Sequence, residues 1–451
     1  MAVNSLIAAT AARAQDALKR RKVRFVHVGL FDYDGCFRER RLPLDLAKLA
    51  FDGKLEWCNN VRGWDSADAM WDPRPVVGEA VRIDPMSGRD YGFEEDAALY
   101  VADYTGVSAE VSPRNLLSKQ IAKADAMGYA VKAAFECELF ILDETAETLR
   151  EKNFDNLDFF AVDNRCWDAM PAAEHAGFIA DLDVAMAEMD IPVYAFGLEL
   201  GPGCYEATLR ARDAMRAADD AALFKVFTKA FCHQHGLTAS FMAQMDASVA
   251  GLSGHIHLSL SDKKTGKPVF YDKRAPNNLS KTARHFTGGM LAHMAEHTAL
   301  SAHTVNAYRR LVPGNWSPRT PTWGMGNYSV AVRAVAAQAD TTRLEFRVPA
   351  SDTNPHLAMA QMLATGLWGM ENKTEPPKPV DGDARALKFT RKKALPRNLL
   401  DAAERLLASK SARALYGDAF VEQFGNSRLN EYTVCSRQVG AFERGRYMDV
   451  V

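Results

Sequence analysis

The sequence predicts an α+β protein in two parts: a small sheet-rich unit over residues 1–112 and a larger mixed unit over 113–451. Three observations predict it. The first third carries alternating apolar residues and tight-turn signals with few helical stretches. Ser112-Pro113-Arg114 then reads as a helix start, with Ser at the N-cap and Pro at the first helical position. From there on, segments of helical period alternate with segments of period two.

In chain order, Met1 to Lys22 is Ala-rich, ends in Lys19-Arg20-Arg21-Lys22, and is expected to be an amphipathic surface helix. It lacks the basic-then-apolar order of a secretory signal. Val23 to Phe31 reads as a strand, and Tyr33-Asp34-Gly35 as the hairpin turn that follows it. Asp52-Gly53 is a second turn signal, and residues 57–96, with Pro73, Pro75 and Pro85, read as loop. After Ser112, Leu116 to Met127 has helical spacing and Gly128 ends it. Further helices are expected at 172–189, 213–235, 280–300, 355–371 and 396–409, and strands at 130–142, 193–200, 205–211, 255–260, 328–335 and 342–348. The Pro-rich and basic segment 373–395 reads as a surface excursion.

Composition excludes several classes. With 55 basic against 57 acidic residues the net charge is −2, which excludes a general nucleic-acid binder. No run of 18 apolar residues occurs, so no membrane-spanning helix is expected. Seven cysteines without a C-x-x-C pair argue against a zinc ribbon or disulfide framework and for a reducing, cytoplasmic setting.

Five stretches, all expected to lie on strands, carry the chemistry. In Phe135-Glu136-Cys137-Glu138-Leu139, a strand places Glu136 and Glu138 on one face, about 6–7 Å apart. Their repulsion is relieved either by solvent or by a divalent cation. In Glu199-Leu200-Gly201-Pro202-Gly203-Cys204-Tyr205-Glu206, a Gly–Pro turn returns two carboxylates to one place, either a pocket or an acidic hairpin tip. Ser253-Gly254-His255-Ile256-His257-Leu258-Ser259 aligns His255, His257 and Ser259 on one face, as metal or phosphate ligands or as hydrogen-bonded strand histidines. The fourth stretch is Asn306 to Gly314, with Arg309 and Arg310. The fifth, Arg343-Leu344-Glu345-Phe346-Arg347, places Arg343, Glu345 and Arg347 together, either as a salt-bridge ladder or as a carboxylate ligand between two anion-binding guanidiniums. Together the five describe one pocket suited to a nucleotide and a divalent metal. The absence of G-x-x-x-x-G-K-[ST] excludes a P-loop.

In order and spacing these stretches, with Asn327 to Arg333 and Asn354-Pro355-His356-Leu357-Ala358, resemble the glutamine synthetase superfamily, most strongly from Ser112 to Gly369. The resemblance implies a small N-terminal β-grasp domain, a larger catalytic domain, two stacked rings (a dodecamer) of identical subunits, ATP as co-substrate and two or more Mg²⁺ (or Mn²⁺) ions per site. By position, Glu138, Glu199 and Glu206 match the ligands of one metal, and Glu136, His255 and Glu345 those of the second. His257, Ser259, Arg333 and Arg343 match nucleotide and phosphate contacts; Arg310 and Arg347 match residues around the substrate glutamate, and Arg310 and Arg333 would act in catalysis.

Several positions depart from the family pattern. Trp316 stands where ammonia-using members carry a Glu, Tyr328 replaces a phosphate-side arginine, and Gln244 replaces a lysine. The loop whose Asp helps hold ammonium is missing; its nearest counterparts are Asn59, Asn60 and Asp65-Ser66. Lost acidic groups and a new aromatic, Trp316, imply a substituted amine in place of ammonia, with Asp65 or Glu56 of a neighbouring subunit as candidate bases. The implied function is a glutamate–amine ligase acting through a γ-glutamyl phosphate, on an apolar or aromatic amine in preference to a polyamine. The alternatives are an ammonia-using glutamine synthetase and a catalytically silent structural or regulatory member.

Overall fold

Phe25–Phe31 is buried along almost its whole length because both of its edges are paired. It runs antiparallel to Phe37–Pro43 and parallel to Ala97–Tyr104 in the computed structural model, which describes residues 6–162 and 165–450. The hairpin turn lies at the expected place: Gly35 has φ +79°, and the Asp32 carboxylate accepts the N–H groups of Asp34 and Cys36 at 3.0 and 2.8 Å. Across the sheet the order is Phe37–Pro43, Phe25–Phe31, Ala97–Tyr104, Gly78–Ile83, Leu55–Cys58, with Arg89–Asp90 also on Ala97–Tyr104. The loop reading of 57–96 is therefore corrected. Its prolines flank Gly78–Ile83 and do not interrupt it, so the ladder closes between them.

The N-terminal helix spans Ala11–Arg20, shorter than expected, because Thr10 caps it by accepting the N–H of Arg13 at 3.3 Å. Ala14, Ala17 and Leu18 form its buried face, and residues 1–5 lie outside the described residues.

Among the described residues the second sheet has nine strands. Its main path runs Trp323–Met325, Val332–Val335, Arg343–Phe346, Ile256–Asp262, Tyr129–Leu142, Cys204–Leu209, Val193–Leu198. The helix Pro113–Ala126 that leads into it starts on the side chain of Ser112 and ends at Gly128, whose φ is +88°. Two expectations are corrected here. The strand at 328–335 begins only at Val332, leaving Tyr328 in a turn, and the stretch after Asn306 is a short helix, Ala307–Arg310, and not a strand.

Behind the sheet lie the helices Ala214–Gln234, Lys281–His297 and Pro355–Glu371. The last two meet at glycines. A Cβ on Gly289 would come within 2.1 Å of the Thr365 carbonyl and 2.6 Å of Gly369. Three further helices, Lys410–Tyr416, Asp418–Ser436 and Ala441–Tyr447, have no counterpart in the sequence reading. Asp418–Ser436 escapes a periodicity argument because its buried face carries Gln423, Ser427 and Arg428. Those polar groups join it to the first sheet: Arg428 donates to Asp34 at 2.8 Å, and Gln423 to Asp72 at 2.9 Å and to the Arg62 carbonyl at 3.0 Å. A second junction is ionic, with Arg89 on Asp220 at 2.8 Å and Arg114, itself held by Asp219, on Asp84 at 2.6 Å.

The glycine contact yields a stability test. Gly289→Ala should force the two helices apart and cost about 1–3 kcal/mol, read as a lowered melting temperature in calorimetry. An unchanged melting temperature would show that the crossing has slack.

Candidate active site

Cross-strand register assembles the site. Arg333, Glu345 and His257 face one another across three adjacent strands, and Glu138 is the direct partner of Glu206 across the next ladder. Glu136 lies two residues from Glu138 and so projects from the same face. Glu199 follows the end of Val193–Leu198, and the turn back to Cys204–Leu209 uses Gly201 and Gly203, both at positive φ. Ser259 lies farther along the face that carries His257.

One half of this face is compensated within the chain. Glu136 accepts from both imidazoles, His255 Nδ1 at 2.9 Å and His257 Nε2 at 2.8 Å. Arg343 donates its Nε–H to His257 Nδ1 at 3.0 Å, so Nδ1 is the acceptor and the ring proton sits on Nε2. Buried Glu345 accepts from Arg333 at 2.8 Å and from Arg347 at a shorter distance, and lies 3.5 Å from His255. Burial works against ionising Glu136, but its two imidazole partners hold its pKa well below the usual carboxylate range. Burial, with the charge of Arg347, lowers His255 to about 4, so it is a neutral imidazole.

The other half is not compensated. Burial, with the charges of Glu199 and Glu136, pushes Glu138 up to about 7; burial, with Glu136, Glu138 and Glu199, pushes Glu206 up to about 8. Glu138 is relieved only by the Ser253 N–H, at 2.5 Å, and by the charge of Arg310. Hard oxygen donors short of positive charge fit a divalent cation such as Mg²⁺ or Mn²⁺. Ligand atoms of Glu136, His257 and Glu345 also converge within 4.8 Å of one another. The sequence reading put His255 in that triad; the structure brings both histidines to Glu136, with His257 in the tighter group.

The arginines divide into two kinds. Arg310, 2% exposed, donates to the Val348 carbonyl at 3.0 Å and to Ser253 Oγ at 2.9 Å, so it braces the strand ends behind the carboxylates. By contrast, the Nε–H groups of Arg333 and Arg347 are buried without a hydrogen-bond partner. Tyr328 covers both guanidiniums, at 3.9 and 5.4 Å, and accepts from Arg333 at 3.0 Å. Unsatisfied guanidinium donors beside a carboxylate cluster fit an anionic ligand.

Trp316 is 60% exposed and is covered by a group the sequence reading missed, the guanidinium of Arg385 at 3.9 Å. Asp383 holds Arg385 by two oxygens, and Asn327 anchors the segment by donating to the carbonyls of Val380 and Gly382. Arg385 lies within 373–395, and nothing in the sequence ties that segment to Trp316. Gln244 is structural here. It binds Asn306 and Asn315 and so fixes the loop that carries Arg310 and Trp316. Asp65 is buried, and its Oδ1 accepts the N–H groups of Ala67 and Ala69 at 2.9 Å.

Comparison with known proteins settles the family. Residues 110–447 match the family described as glutamine synthetase, catalytic domain. The chain belongs to the glutamine synthetase family. It is 34% identical to type-1 glutamine synthetase 2 of Dictyostelium discoideum over 96% of this chain and 85% of that protein. It is 31% identical to the glutamate–isopropylamine ligase of a Pseudomonas species over 97% and 98% of the two chains. Apo GmaS without ligand superposes with a TM-score of 0.83 at 27% identity, over 96% and 99% of the chains. Among the described residues no helix is long and apolar enough to cross a membrane.

The raised carboxylates set a pH dependence. Glu138 and Glu206 bind protons more tightly folded than unfolded, so without a divalent cation their contribution to stability is lost as pH rises through about 7 and 8. The melting temperature of the metal-free protein should therefore fall as pH rises from the ordinary carboxylate range to about 8, and level off above it. Added Mg²⁺ or Mn²⁺ should restore it, most at high pH, with proton release in calorimetry. Equal rescue at both ends of the range would refute the assignment.

Proposed function

We propose that this member of the family is an ATP-dependent ligase that joins the γ-carboxylate of glutamate to a primary amine other than ammonia, through a γ-glutamyl phosphate. We read the chain as a β-grasp unit over 1–112 and a catalytic unit over 113–451, assembling as a ring-forming homo-oligomer, cytoplasmic and independent of nucleic acid and membrane. The observation that carries the amine reading is the Trp316–Arg385 stack, at a position that the sequence resemblance matches to a carboxylate of ammonia-using members.

Glu138, Glu199 and Glu206 would hold one divalent ion and Glu136, Glu345 and a histidine, His255 or His257, the second. Bound there, such ions supply Lewis-acid stabilisation of charge on a transferring phosphoryl group. The chain's own residues do the rest. Arg333 and Arg343, with His257 and Ser259, face the nucleotide phosphates. The free Nε–H of Arg347 meets a glutamate carboxylate, and Arg310 keeps the strand ends and Glu138 in place. The glutamate γ-carboxylate attacks the terminal phosphorus, ADP leaves, and the amine nitrogen displaces phosphate from the acyl carbon.

Trp316 offers the amine an apolar wall, and Arg385, paired with Asp383 on one side, lays its guanidinium over that wall. A second ammonium, as in a polyamine, would meet that guanidinium. A monoamine with an apolar substituent would not. The name of the Pseudomonas relative, a ligase for isopropylamine, supports this reading.

Initial rates with ammonia, ethylamine, putrescine and aniline test the amine. Ethylamine or aniline should exceed ammonia by at least about tenfold in kcat/KM, roughly 1.4 kcal/mol, and Trp316→Glu should narrow that gap. If ammonia is the best substrate, the enzyme is a glutamine synthetase. Arg385→Glu should raise putrescine relative to ethylamine by about fivefold, near 1 kcal/mol for an exposed charge pair. Glu138→Ala and Glu345→Ala should each abolish ligation with the fold retained, and activity at limiting Mg²⁺ in either would overturn the metal assignment. Arg347→Lys keeps the charge but loses the planar fork, so KM for glutamate should rise. An unchanged KM, with another acid supporting ATP turnover, would place a different acid in the site.

A further inference from the structure

The helix Lys281–His297 ends in His293-Met294-Ala295-Glu296-His297, a motif that shares no residue with the carboxylate cluster. Spacing of four places two imidazoles on one helix face, with a carboxylate three residues from the first. The structure brings their ligand atoms within 4.8 Å of one another. We propose that His293, Glu296 and His297 form a second, separate metal site that takes a borderline divalent transition-metal ion of the Zn²⁺ class.

Four observations support it. His293 Nε2 is buried and has no hydrogen-bond partner, an orphaned ligand atom within a polar cluster. Its ring is set by neighbours: it stands edge-on to Trp368 at 4.3 Å and nearly parallel to His297, with an interplanar angle of 15°. His297 has a hydroxyl partner at each ring nitrogen, so an ion would displace one hydroxyl while the other kept its place as the outer partner usual for a metal-bound histidine. Tyr416 OH lies 2.9 Å from Nδ1, while Nε2 points at Ser411 Oγ, 3.0 Å away. Ser411 Oγ also reaches Glu296 Oε2 at 3.2 Å, so one hydroxyl bridges two of the three ligands. An ion between them would replace that bridge or take the hydroxyl as a fourth ligand.

Chemistry selects the class of ion. Two imidazoles and one carboxylate suit Zn²⁺, Co²⁺ or Ni²⁺, whereas Mg²⁺ prefers oxygen alone. Burial lowers the pKa of His293, and that of His297 to about 3, so both rings are neutral at pH 7 and lose no proton on binding. Access is open, because His293, Glu296 and Ser411 line a groove of about 1210 Å³. Arg391, Lys392, Lys393 and Lys410 line the same groove. Their charge opposes a bare dication and favours one that carries an anion in its open coordination position.

Titration of the intact enzyme with Co²⁺, in excess Mg²⁺ to fill the carboxylate cluster, tests the site through ligand-field absorption. Wild type should show a visible band that Zn²⁺ abolishes. His293→Gln and Glu296→Gln should each lose it, and Glu345→Gln should keep it. Glu296 is exposed, so its variant carries the test if His293→Gln fails to fold. No band in wild type, a band unchanged in Glu296→Gln, or a band lost only in Glu345→Gln would overturn the proposal.

Discussion

Uncompensated negative charge on one face of the nine-stranded sheet is the constraint on which the site depends. Glu138 and Glu206 share one rung of an antiparallel ladder, Glu136 lies two residues from Glu138 on the same face, and Glu345 lies one strand beyond His257. Isolated carboxylates this close and this buried would be costly. The chain satisfies half of these carboxylates with hydrogen bonds from His255 and His257 and with the charges of Arg333 and Arg347, and leaves Glu138 and Glu206 with raised proton affinity. That imbalance makes the face a cation trap beside guanidiniums with hydrogen-bonding capacity to spare.

Much of the surrounding architecture keeps this face rigid. Gln244 fixes the loop with Arg310 and Trp316, and Arg310 spends its donors on backbone and on Ser253. Asn354 caps the helix Pro355–Glu371 and also donates to the carbonyls of Asp32 and Tyr33, so the cap that starts a catalytic-unit helix reaches the first hairpin. Arg428 returns from the C-terminal helices to Asp34 of that hairpin. Residues far apart in sequence thus lock the first sheet onto the second.

The carboxylate and histidine stretches were legible because a strand has a strict period of two. Alternation in 136–138, 255–259 and 343–347 assigns side chains to a face without knowledge of neighbouring strands. Helix boundaries with strong caps were legible too: Ser112-Pro113 and Asn354-Pro355 begin helices where they stand. The strand Gly78–Ile83 was obscured by flanking prolines, and Asp418–Ser436 by polar residues on its buried face. In both cases the deciding partner is distant in sequence.

By itself, then, the sequence determined which residues could carry charge to a common face, which helices would start where, and that no P-loop or spanning helix takes part. Only the tertiary structure decided that His257 groups with Glu136 and Glu345, that Arg310 braces backbone, that Asp65 accepts from its own loop, and that Arg385 covers Trp316. The physical reason is range. Strand period and helix caps act over a few residues and leave their mark locally. Cross-strand register, hydrogen-bond satisfaction and cation–π stacking join groups tens of residues apart, and their energies exist only once the chain has closed around them.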